Sequence, residues 1–478
     1  MWRYNTFHLL RYFRINDLYR LLGLLLILFL LCLPQFINMG GLTYPELKGF
    51  LIGEKILEGN ALYTGIIDST GPFAGWFNAL MSLVFGRSLL ARHILAFIVI
   101  FFQSGFFGMI LVEKKAFAEN TYIPSLLFAL LFFFSFDTFL LTPELIGFGF
   151  VLLGLNKLIK EIEFREQRDQ TILKLGLFIS LSTLFVFSYV IYLLGAIVIL
   201  ILFTRTPPRK FFLMIVGFLL PHFIIVSVYY LVGGVDEIWK YYYLPNLSLA
   251  SAPLMSVKSI FWLSIIPLFF LVISLVMLNR EARLTKYQSQ LVQAMFVWMV
   301  FSFLQVLYSK DLRSQNFITL IPGFSFFMAH YFLLIRRRRL AEITLWTLLF
   351  SIVSINYLAR YNKIENVDYS MLRVAESTSS IRDKRILVLD DNLEIYKDNK
   401  SASPFVNWTL SKDIFSSADY YENVVEVYRG IKEDQPDLIR DKDDLLKPFL
   451  ARIPELKRLY VRKDIYYVKT SGATSTPK

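Results

Sequence analysis

The sequence predicts a polytopic α-helical membrane protein with about 11 transmembrane helices, a long first external loop and a small α/β C-terminal external domain. Its 478 residues are 55% hydrophobic and 17% aromatic, which is more apolar than a soluble core can use. Apolar stretches long enough to span a bilayer recur from Leu21 to about Leu358. Charged residues become dense from Ala359 onward, so residues 1–358 are predicted to form the membrane domain and residues 359–478 a soluble domain.

The apolar stretches define eleven predicted spans. No small-residue cleavage site follows the first of them, so it is interpreted as a span and not as a signal peptide. The short third, fifth and sixth spans leave open a smaller number of crossings or partly re-entrant segments. In chain order the predicted spans are Leu21–Asn38, Ala91–Val112, Tyr122–Phe136, Phe139–Asn156, Leu175–Phe187, Tyr189–Phe203, Phe211–Leu231, Ser259–Leu278, Gln290–Leu307, Phe317–Ile335 and Leu340–Leu358.

The net charge is +12, but the positions of Lys and Arg along the chain indicate membrane orientation and not nucleic-acid binding. Arginines precede the first span, and every second loop is cationic, which places the N-terminus in the cytoplasm by the positive-inside rule. An odd number of spans then puts the C-terminal domain in the periplasm of a bacterial inner membrane. The cationic loops are 113–115, 157–174, 205–210, 280–286 and 336–339.

Cysteine and histidine are too sparse for a disulfide framework or a metal cluster built from these residues. The single cysteine, Cys32, lies in the first predicted span, and the four histidines are scattered along the chain. No cofactor is predicted, although a requirement for a divalent metal is left open.

The external loop at 39–90 is unusually long for a connection between membrane helices. Two apolar-periodic segments, Leu47–Leu57 and Phe73–Phe85, are predicted to form amphipathic helices at the membrane surface. Packing over the helical bundle is the alternative interpretation. Long loops are often functional, so this loop is a candidate region for the site.

Predicted strands alternate with predicted helices in the C-terminal region, as in a small α/β domain. Strands are predicted at Arg385–Leu389, at Pro436–Ile439 and within Tyr460–Val468, and helices at Val424–Ile431 and Leu445–Leu450. The end, Ser471–Lys478, is predicted to be a frayed polar segment.

Three parts of the sequence together carry a family resemblance. The first is the external loop from Pro45-Glu46 through Leu57–Tyr63, Gly71-Pro72 and Leu83–Ser88 to Ala91-Arg92. The second is the basic segment Lys310–Pro322, and the third is the order of elements in the C-terminal region. These parts resemble the GT-C superfamily of membrane glycosyltransferases, which includes protein O-mannosyltransferases and the lipid A aminoarabinose transferase. The resemblance implies a glycosyltransferase that uses a polyprenyl-phosphate-linked sugar donor.

One position departs from the pattern of that family. Its members commonly open the first loop with Asp-Glu, in which the aspartate is the catalytic carboxylate, whereas this chain has Pro45-Glu46. Three interpretations stay open: Glu46 takes over as the base, Asp68 does so, or the chain has lost catalysis.

Transfer of a sugar to a hydroxyl requires a carboxylate base and cations at the leaving phosphate. The candidate catalytic residues are Glu46, Asp68, Asp137 and Glu144. Asp137 and Glu144 flank the turn between the third and fourth predicted spans, at a depth where ionisable groups tend to be functional. The simpler interpretations are a helix N-terminal charge for Glu46, a turn residue for Asp68, a solvated turn for Asp137 and a helix start for Glu144.

Cations on the predicted external side are candidates for binding the donor phosphate. Lys310 and Arg313 lie just outside a span, where the alternative is that they snorkel to the interface. Arg87 and Arg92, at the entry to the second span, are further candidates.

The leading hypothesis is therefore a glycosyltransferase whose partners are a polyprenyl-phosphate sugar donor, membrane lipid and an acceptor that is a protein, lipid or glycan. The alternative is a non-catalytic member that acts as a scaffold or protein partner in envelope assembly or secretion. A transporter is disfavoured, since the sequence has no inverted repeat with matching broken helices.

Overall fold

The computed structural model describes residues 9–163, 169–249, 252–375 and 381–470. The predicted polar end, Ser471–Lys478, lies outside the described residues. The chain divides into two compact units. We call them the helical unit, Met1–Gly40, Ser88–Ile225 and Leu249–Met371, and the mixed unit, Gly41–Arg87, Val226–Ser248 and Leu372–Lys478.

Helices account for most of the described residues. In chain order they are α1 (Leu9–Phe13), α2 (Arg20–Ile37), α3 (Tyr44–Leu57), α4 (Pro72–Phe85), α5 (Leu89–Glu113), α6 (Ile123–Leu131), α7 (Pro143–Glu163), α8 (Asp169–Phe185), α9 (Ile191–Phe203), α10 (Pro208–Leu231), α11 (Val235–Ile238), α12 (Leu244–Leu247), α13 (Val257–Glu281), α14 (Lys286–Tyr308), α15 (Ile321–Leu334), α16 (Arg338–Arg360), α17 (Trp408–Ser416), α18 (Tyr421–Glu433), α19 (Lys447–Arg452) and α20 (Pro454–Leu459).

The prediction of a polytopic membrane protein is confirmed. Among the described residues, seven helices are long and apolar enough to cross a membrane by length and composition. They are α2, α5, α10, α13, α14, α16 and the segment Ser314–Leu334, which ends with α15. The short third and sixth predicted spans correspond to the shorter apolar helices Ile123–Phe134 and Phe187–Phe203.

Polar residues cap the N-termini of two long helices, α13 and α14. Ser256 Oγ accepts a hydrogen bond from Ser259 N at 3.1 Å at the start of α13. Thr285 and Gln288 form a reciprocal capping box at the start of α14. Both devices satisfy backbone N–H groups that the first helical turn leaves without partners. Four residues, 282–285, therefore suffice to connect α13 to α14.

The mixed unit contains one sheet of five strands. They are β1 (Arg385–Val388), β2 (Lys400–Ser401), β3 (Leu438–Arg440), β4 (Tyr460–Lys463) and β5 (Tyr466–Lys469). Their order in the sheet is β2-β1-β3-β5-β4. Strand β1 is parallel to both β2 and β3, whereas β5 is antiparallel to β3 and β4. The predicted segment Tyr460–Val468 forms the two strands of a hairpin, because Asp464 adopts a left-handed φ of 57° at its turn.

The first loop contains the two helices predicted for it, α3 and α4. Glycine at positions 49 and 53 lets α3 approach α4 closely. A Cβ added at Gly49 would lie 3.2 Å from Asn78 Oδ1, and one at Gly53 would meet the backbone at Asn78. The location of these helices at a membrane surface stays a prediction.

Candidate active site

Asp137 is a fully buried carboxylate in the helical unit. It lies in a short 3-10 turn, Phe136–Phe139, between α6 and α7. One oxygen accepts a hydrogen bond from Ser135 Oγ at 2.6 Å, and the other accepts one from Gln315 N at 3.0 Å. Burial raises the pKa of Asp137 above its ordinary value, although these hydrogen bonds and the charge of Arg313 act in the opposite direction.

Arg313 brings a second carboxylate, Glu144, to the same place. Its Nη2 lies 2.6 Å from Glu144 Oε1, and its Nε lies 3.2 Å from Asp311 Oδ2. Burial by itself lowers the pKa of Arg313, but Glu144, Asp311 and Asp137 together hold it above its ordinary value. The buried guanidinium is therefore permanently charged and held by carboxylates from two segments of the chain.

Several polar atoms of this cluster lack a hydrogen-bond partner in the part of the chain that the structure describes. They are Arg313 Nη1, Glu144 Oε2 and Gln315 Oε1, and all three are buried; Arg313 Nε also lacks a hydrogen bond, although it forms the ion pair with Asp311. Buried polar groups are nearly always hydrogen-bonded in folded proteins. These atoms are thus the positions at which a polar ligand would complete the site.

The net charge of the cluster determines whether its residues are suited to proton transfer or to phosphate binding. Asp137, Glu144 and Asp311 face one arginine, so the four ionised groups carry a net charge of −2. Such a cluster favours taking a proton from a neutral hydroxyl, and it binds a phosphate only where Arg313 Nη1 or a further cation offsets the carboxylates. Lys310, three residues before Arg313, is the nearest such cation in the sequence, and burial lowers its pKa.

A second layer of side chains holds the segments that carry these groups. Ser135 Oγ lies 3.1 Å from Tyr369 Oη, and Tyr189 Oη donates to the carbonyl of Glu144 at 3.0 Å. Asn316 Nδ2 donates to Ser309 Oγ at 2.8 Å and to the carbonyl of Asp311. Sequence reasoning did not single out Ser135, Tyr189 or Tyr369, because their partners are distant in the sequence, whereas Asn316 lies within the basic segment Lys310–Pro322.

Glu46 caps a helix in the mixed unit. Its Oε2 accepts hydrogen bonds from Thr43 N at 3.1 Å and from Thr43 Oγ1 at 2.7 Å, which forms a capping box at the start of α3. These hydrogen bonds agree with the helix N-terminal role that the sequence left open for Glu46. Its role as a base stays a prediction.

Asp68 is fully buried in a constrained turn of the mixed unit. It accepts hydrogen bonds from Thr70 N at 2.7 Å and from the Thr70 hydroxyl, and its Oδ2 lies 3.0 Å from Lys48 Nζ. Tyr63 has a left-handed φ of 68°, rare for a residue with a side chain, and its Oη donates to the carbonyl of Thr70 at 2.6 Å. Hydrogen bonds from Tyr63 and to Asp68 therefore fix Thr70 in the turn, and Lys48 lies half exposed beside the Asp68 carboxylate.

Arg87 clamps two parts of the mixed unit together. Its Nε and Nη2 donate to the two carboxylate oxygens of Glu54 at 2.6 and 2.7 Å. Its guanidinium also donates to the carbonyls of Tyr396, Lys397 and Asn399 at 2.9 to 3.1 Å. Because each guanidinium nitrogen already donates within the protein, the contacts of Arg87 are those of a structural residue.

The predicted site residues therefore fall into both units. Asp137, Glu144, Arg313, Lys310 and Arg92 belong to the helical unit, where the first three are brought together and Arg92 is buried on α5. Glu46, Asp68 and Arg87 belong to the mixed unit. Among the described residues, no group of three or more His, Cys, Asp or Glu side chains is placed to hold a metal ion.

Two crystal structures of ArnT from Cupriavidus metallidurans are similar to this chain along almost their whole length. The undecaprenyl phosphate-bound structure has a TM-score of 0.54 and 11% identity, covering 96% of this chain and 98% of ArnT. The apo structure has a TM-score of 0.53 and 12% identity, covering 94% of this chain and 97% of ArnT.

An archaeal oligosaccharyltransferase, AglB from Archaeoglobus fulgidus in complex with an inhibitory peptide and a dolichol-phosphate, has a TM-score of 0.47 and 8% identity, covering 96% of this chain and 75% of AglB. No protein-family model matches the chain, and no curated protein matches it in sequence. The similarity to the two ArnT structures extends over almost the whole chain and agrees with the fold that the resemblance implies, so the chain has an ArnT-like membrane fold.

Proposed function

We propose that this protein is a glycosyltransferase of the bacterial inner membrane that transfers a sugar from a polyprenyl-phosphate-linked donor to a hydroxyl of a protein, lipid or glycan on the periplasmic face. The observation that carries the proposal is the buried cluster of Asp137, Glu144 and Arg313, in which Arg313 Nη1 and Glu144 Oε2 lack protein partners among the described residues. The fold of the chain supports it, since one ArnT structure was solved with undecaprenyl phosphate bound.

In the proposed reaction Asp137 is the general base. The acceptor oxygen forms a bond to the anomeric carbon of the sugar while the bond from that carbon to the phosphate oxygen breaks. The acceptor proton passes to the Asp137 carboxylate, and polyprenyl phosphate leaves as an anion. The raised pKa of Asp137 makes it a stronger base than an exposed aspartate.

Arg313 is proposed to stabilise the charge that develops on the leaving phosphate through Nη1. Glu144 and Asp311 position the guanidinium by holding Nη2 and Nε. Lys310 is proposed as the second cation at the phosphate.

A non-catalytic scaffold is the second candidate function, and three observations favour it. Pro45 occupies the position at which the resemblance implies a catalytic aspartate, and Glu46 Oε2 serves as a helix cap. Glu144 is also paired with Arg313 at 2.6 Å, as a structural carboxylate would be. A protein of this kind would bind partners in envelope assembly and would consume no donor.

The experiment that distinguishes the two functions measures donor consumption. Purified protein in proteoliposomes is supplied with a panel of labelled polyprenyl-phosphate sugars and a mixture of hydroxyl-bearing acceptors, and release of polyprenyl phosphate is followed. We expect release from at least one donor by the wild type. We also expect Glu144→Gln to lower the rate, because Arg313 loses its closest carboxylate.

Glu46→Gln separates capping from catalysis in the same assay. Glutamine keeps an acceptor oxygen for Thr43, so we expect the variant to fold and to retain most of the activity. Complete loss of transfer in a folded Glu46→Gln protein would move the base to Glu46. If no donor releases polyprenyl phosphate, the proposed glycosyltransferase activity is contradicted and the scaffold function is favoured.

The proposed orientation places the N-terminus in the cytoplasm and the C-terminal region in the periplasm. Since Cys32 is the single cysteine, one substitution gives a cysteine-free background. Cysteines introduced singly at the exposed positions Tyr421 and Lys115 are then treated with a membrane-impermeant maleimide on intact spheroplasts. We expect labelling at 421 and protection at 115 until the membrane is opened. The reverse pattern would invert the proposed topology.

A further inference from the structure

An apolar groove of about 490 Å³ lies among four helices of the helical unit: α9, α13, α14 and α15. Eight of its nine lining residues are apolar, and the exception is Gln293. The volume is within the range of about 300–1,000 Å³ that is usual for small-ligand sites. The lining residues are Leu202, Phe203, Leu275, Leu278, Val292, Gln293, Phe296, Val297 and Phe327.

The groove opens toward the surface of the helices. Leu202 and Phe296 at its rim are 59% and 45% exposed, whereas Phe327 is 1% exposed and forms its floor. Apolar side chains exposed on membrane-spanning helices face acyl chains, because the bilayer is their solvent. The shape thus suits a hydrocarbon chain lying between the helices.

The groove is located toward the ends of these helices that carry the cationic loops. Helix α9 ends at Phe203 in the groove lining, two residues before the exposed Arg205. The segment 280–286, which comprises the end of α13, the connection 282–285 and the first residue of α14, has three cations and the single carboxylate of Glu281, a net charge of +2. Positive charge therefore adjoins one end of an apolar groove.

Helical periodicity directs one of these cations toward the groove. Lys286 is exposed and precedes Gln293 by seven residues on α14, which puts the two on the same helix face at a separation of about 10 Å along the axis. Arg283 is exposed in the short connection just before α14. An acyl chain in the groove would thus bring the phosphate of its headgroup to Lys286 and Arg283.

We propose that this groove is a binding site for a membrane phospholipid with an anionic headgroup, in which one acyl chain fills the groove and Lys286 and Arg283 hold the phosphate. Charge complementarity selects an anionic over a zwitterionic lipid, since a zwitterionic headgroup carries a cation that the +2 segment repels. By the predicted orientation the lipid belongs to the cytoplasmic leaflet. The inference is independent of the proposed glycosyltransferase activity.

Native mass spectrometry of the full chain tests this inference. Protein is delipidated in detergent and titrated with phosphatidylglycerol or phosphatidylcholine of matched acyl chains. We expect phosphatidylglycerol to be retained preferentially. Each of Arg283→Gln and Lys286→Gln is expected to weaken its binding by about fivefold, the effect of one basic residue near a lipid surface. Lys115→Gln, an exposed cation in another loop on the same predicted side, is the matched control and is expected to change nothing.

A groove-filling variant tests the acyl-chain part of the inference. Val292→Trp occupies the groove while leaving the cations in place, and it is expected to abolish preferential retention in protein that remains monodisperse. Equal binding of the two lipids by the wild type would overturn the inference, as would preferential retention unchanged in Val292→Trp. A dimer that buries the groove and excludes added lipid would identify a second copy of the chain as its occupant.

Discussion

Replacing Asp137 with asparagine is expected to lower the turnover number of the proposed transferase by about 10² to 10⁴-fold, the usual contribution of a general base. Asparagine has nearly the same size: its Oδ1 keeps the hydrogen bond from Gln315 N, while its Nδ2 donates to Ser135 Oγ, which becomes the acceptor. It cannot take a proton from the acceptor hydroxyl. The measurement is the initial rate of polyprenyl phosphate release with saturating donor.

The matched control for this variant is Asp419→Asn. Asp419 is an exposed carboxylate of the mixed unit that pairs with Arg452 at 2.7 Å and has no role in the proposed reaction. Wild-type turnover is expected for it. A folded Asp137→Asn protein with the wild-type rate would exclude Asp137 as the base.

The pH dependence of the rate provides a separate test of Asp137. Burial raises the pKa of its carboxyl group, and only the ionised form accepts a proton. The wild-type rate is therefore expected to increase with pH through an apparent pKa above the ordinary value of an aspartate. Activity that stays level down to the ordinary aspartate pKa of about 3.9 would contradict this assignment.

Replacing Arg87 with methionine is expected to destabilise the mixed unit by about 2–3 kcal/mol. The substitution leaves Glu54 without its bidentate partner and removes donors from three carbonyls at 396, 397 and 399. We place the effect below that of a fully buried pair, because Arg87 and Glu54 are 29% and 24% exposed. The measurement is the midpoint of thermal unfolding together with the rate of proteolysis of residues 372–478.

Two variants calibrate this result. Arg452→Met removes an exposed ion pair with Asp419 and is expected to cost less than about 1 kcal/mol. Arg87→Lys keeps the charge but loses the planar fork, so we expect it to recover only part of the stability. Equal unfolding midpoints for Arg87→Met and Arg452→Met would show that the clamp contributes little.

Residue types and positions were sufficient to predict candidate site residues but not the contacts between them. Asp137 and Glu144 were selected because ionisable groups near a predicted membrane turn are costly, and Arg313 because of its place outside a span. Their contacts depend on the segment from 311 to 315 meeting two segments about 170 residues earlier. Sequence spacing contains no information on such a meeting, so the pairing of Glu144 with Arg313 was not predicted.

Arg87 shows the opposite case. Its position in a family-like stretch suggested a phosphate ligand, but its guanidinium contacts Glu54 and three carbonyls of the C-terminal region. A structural arginine and a ligand-binding arginine look the same in a sequence. Only the tertiary contacts distinguish them, because those contacts decide which donors are already in use.

The amino-acid sequence alone predicted that the chain is a membrane protein, approximately where its apolar helices lie, and that its C-terminal region is α/β. These properties follow from local composition and periodicity, which act over one element at a time. Only the folded structure shows that Arg87 is a clamp and that Asp137, Glu144 and Arg313 form one buried cluster. Hydrogen bonds and ion pairs between distant segments depend on how complete elements pack, and no local pattern encodes that packing.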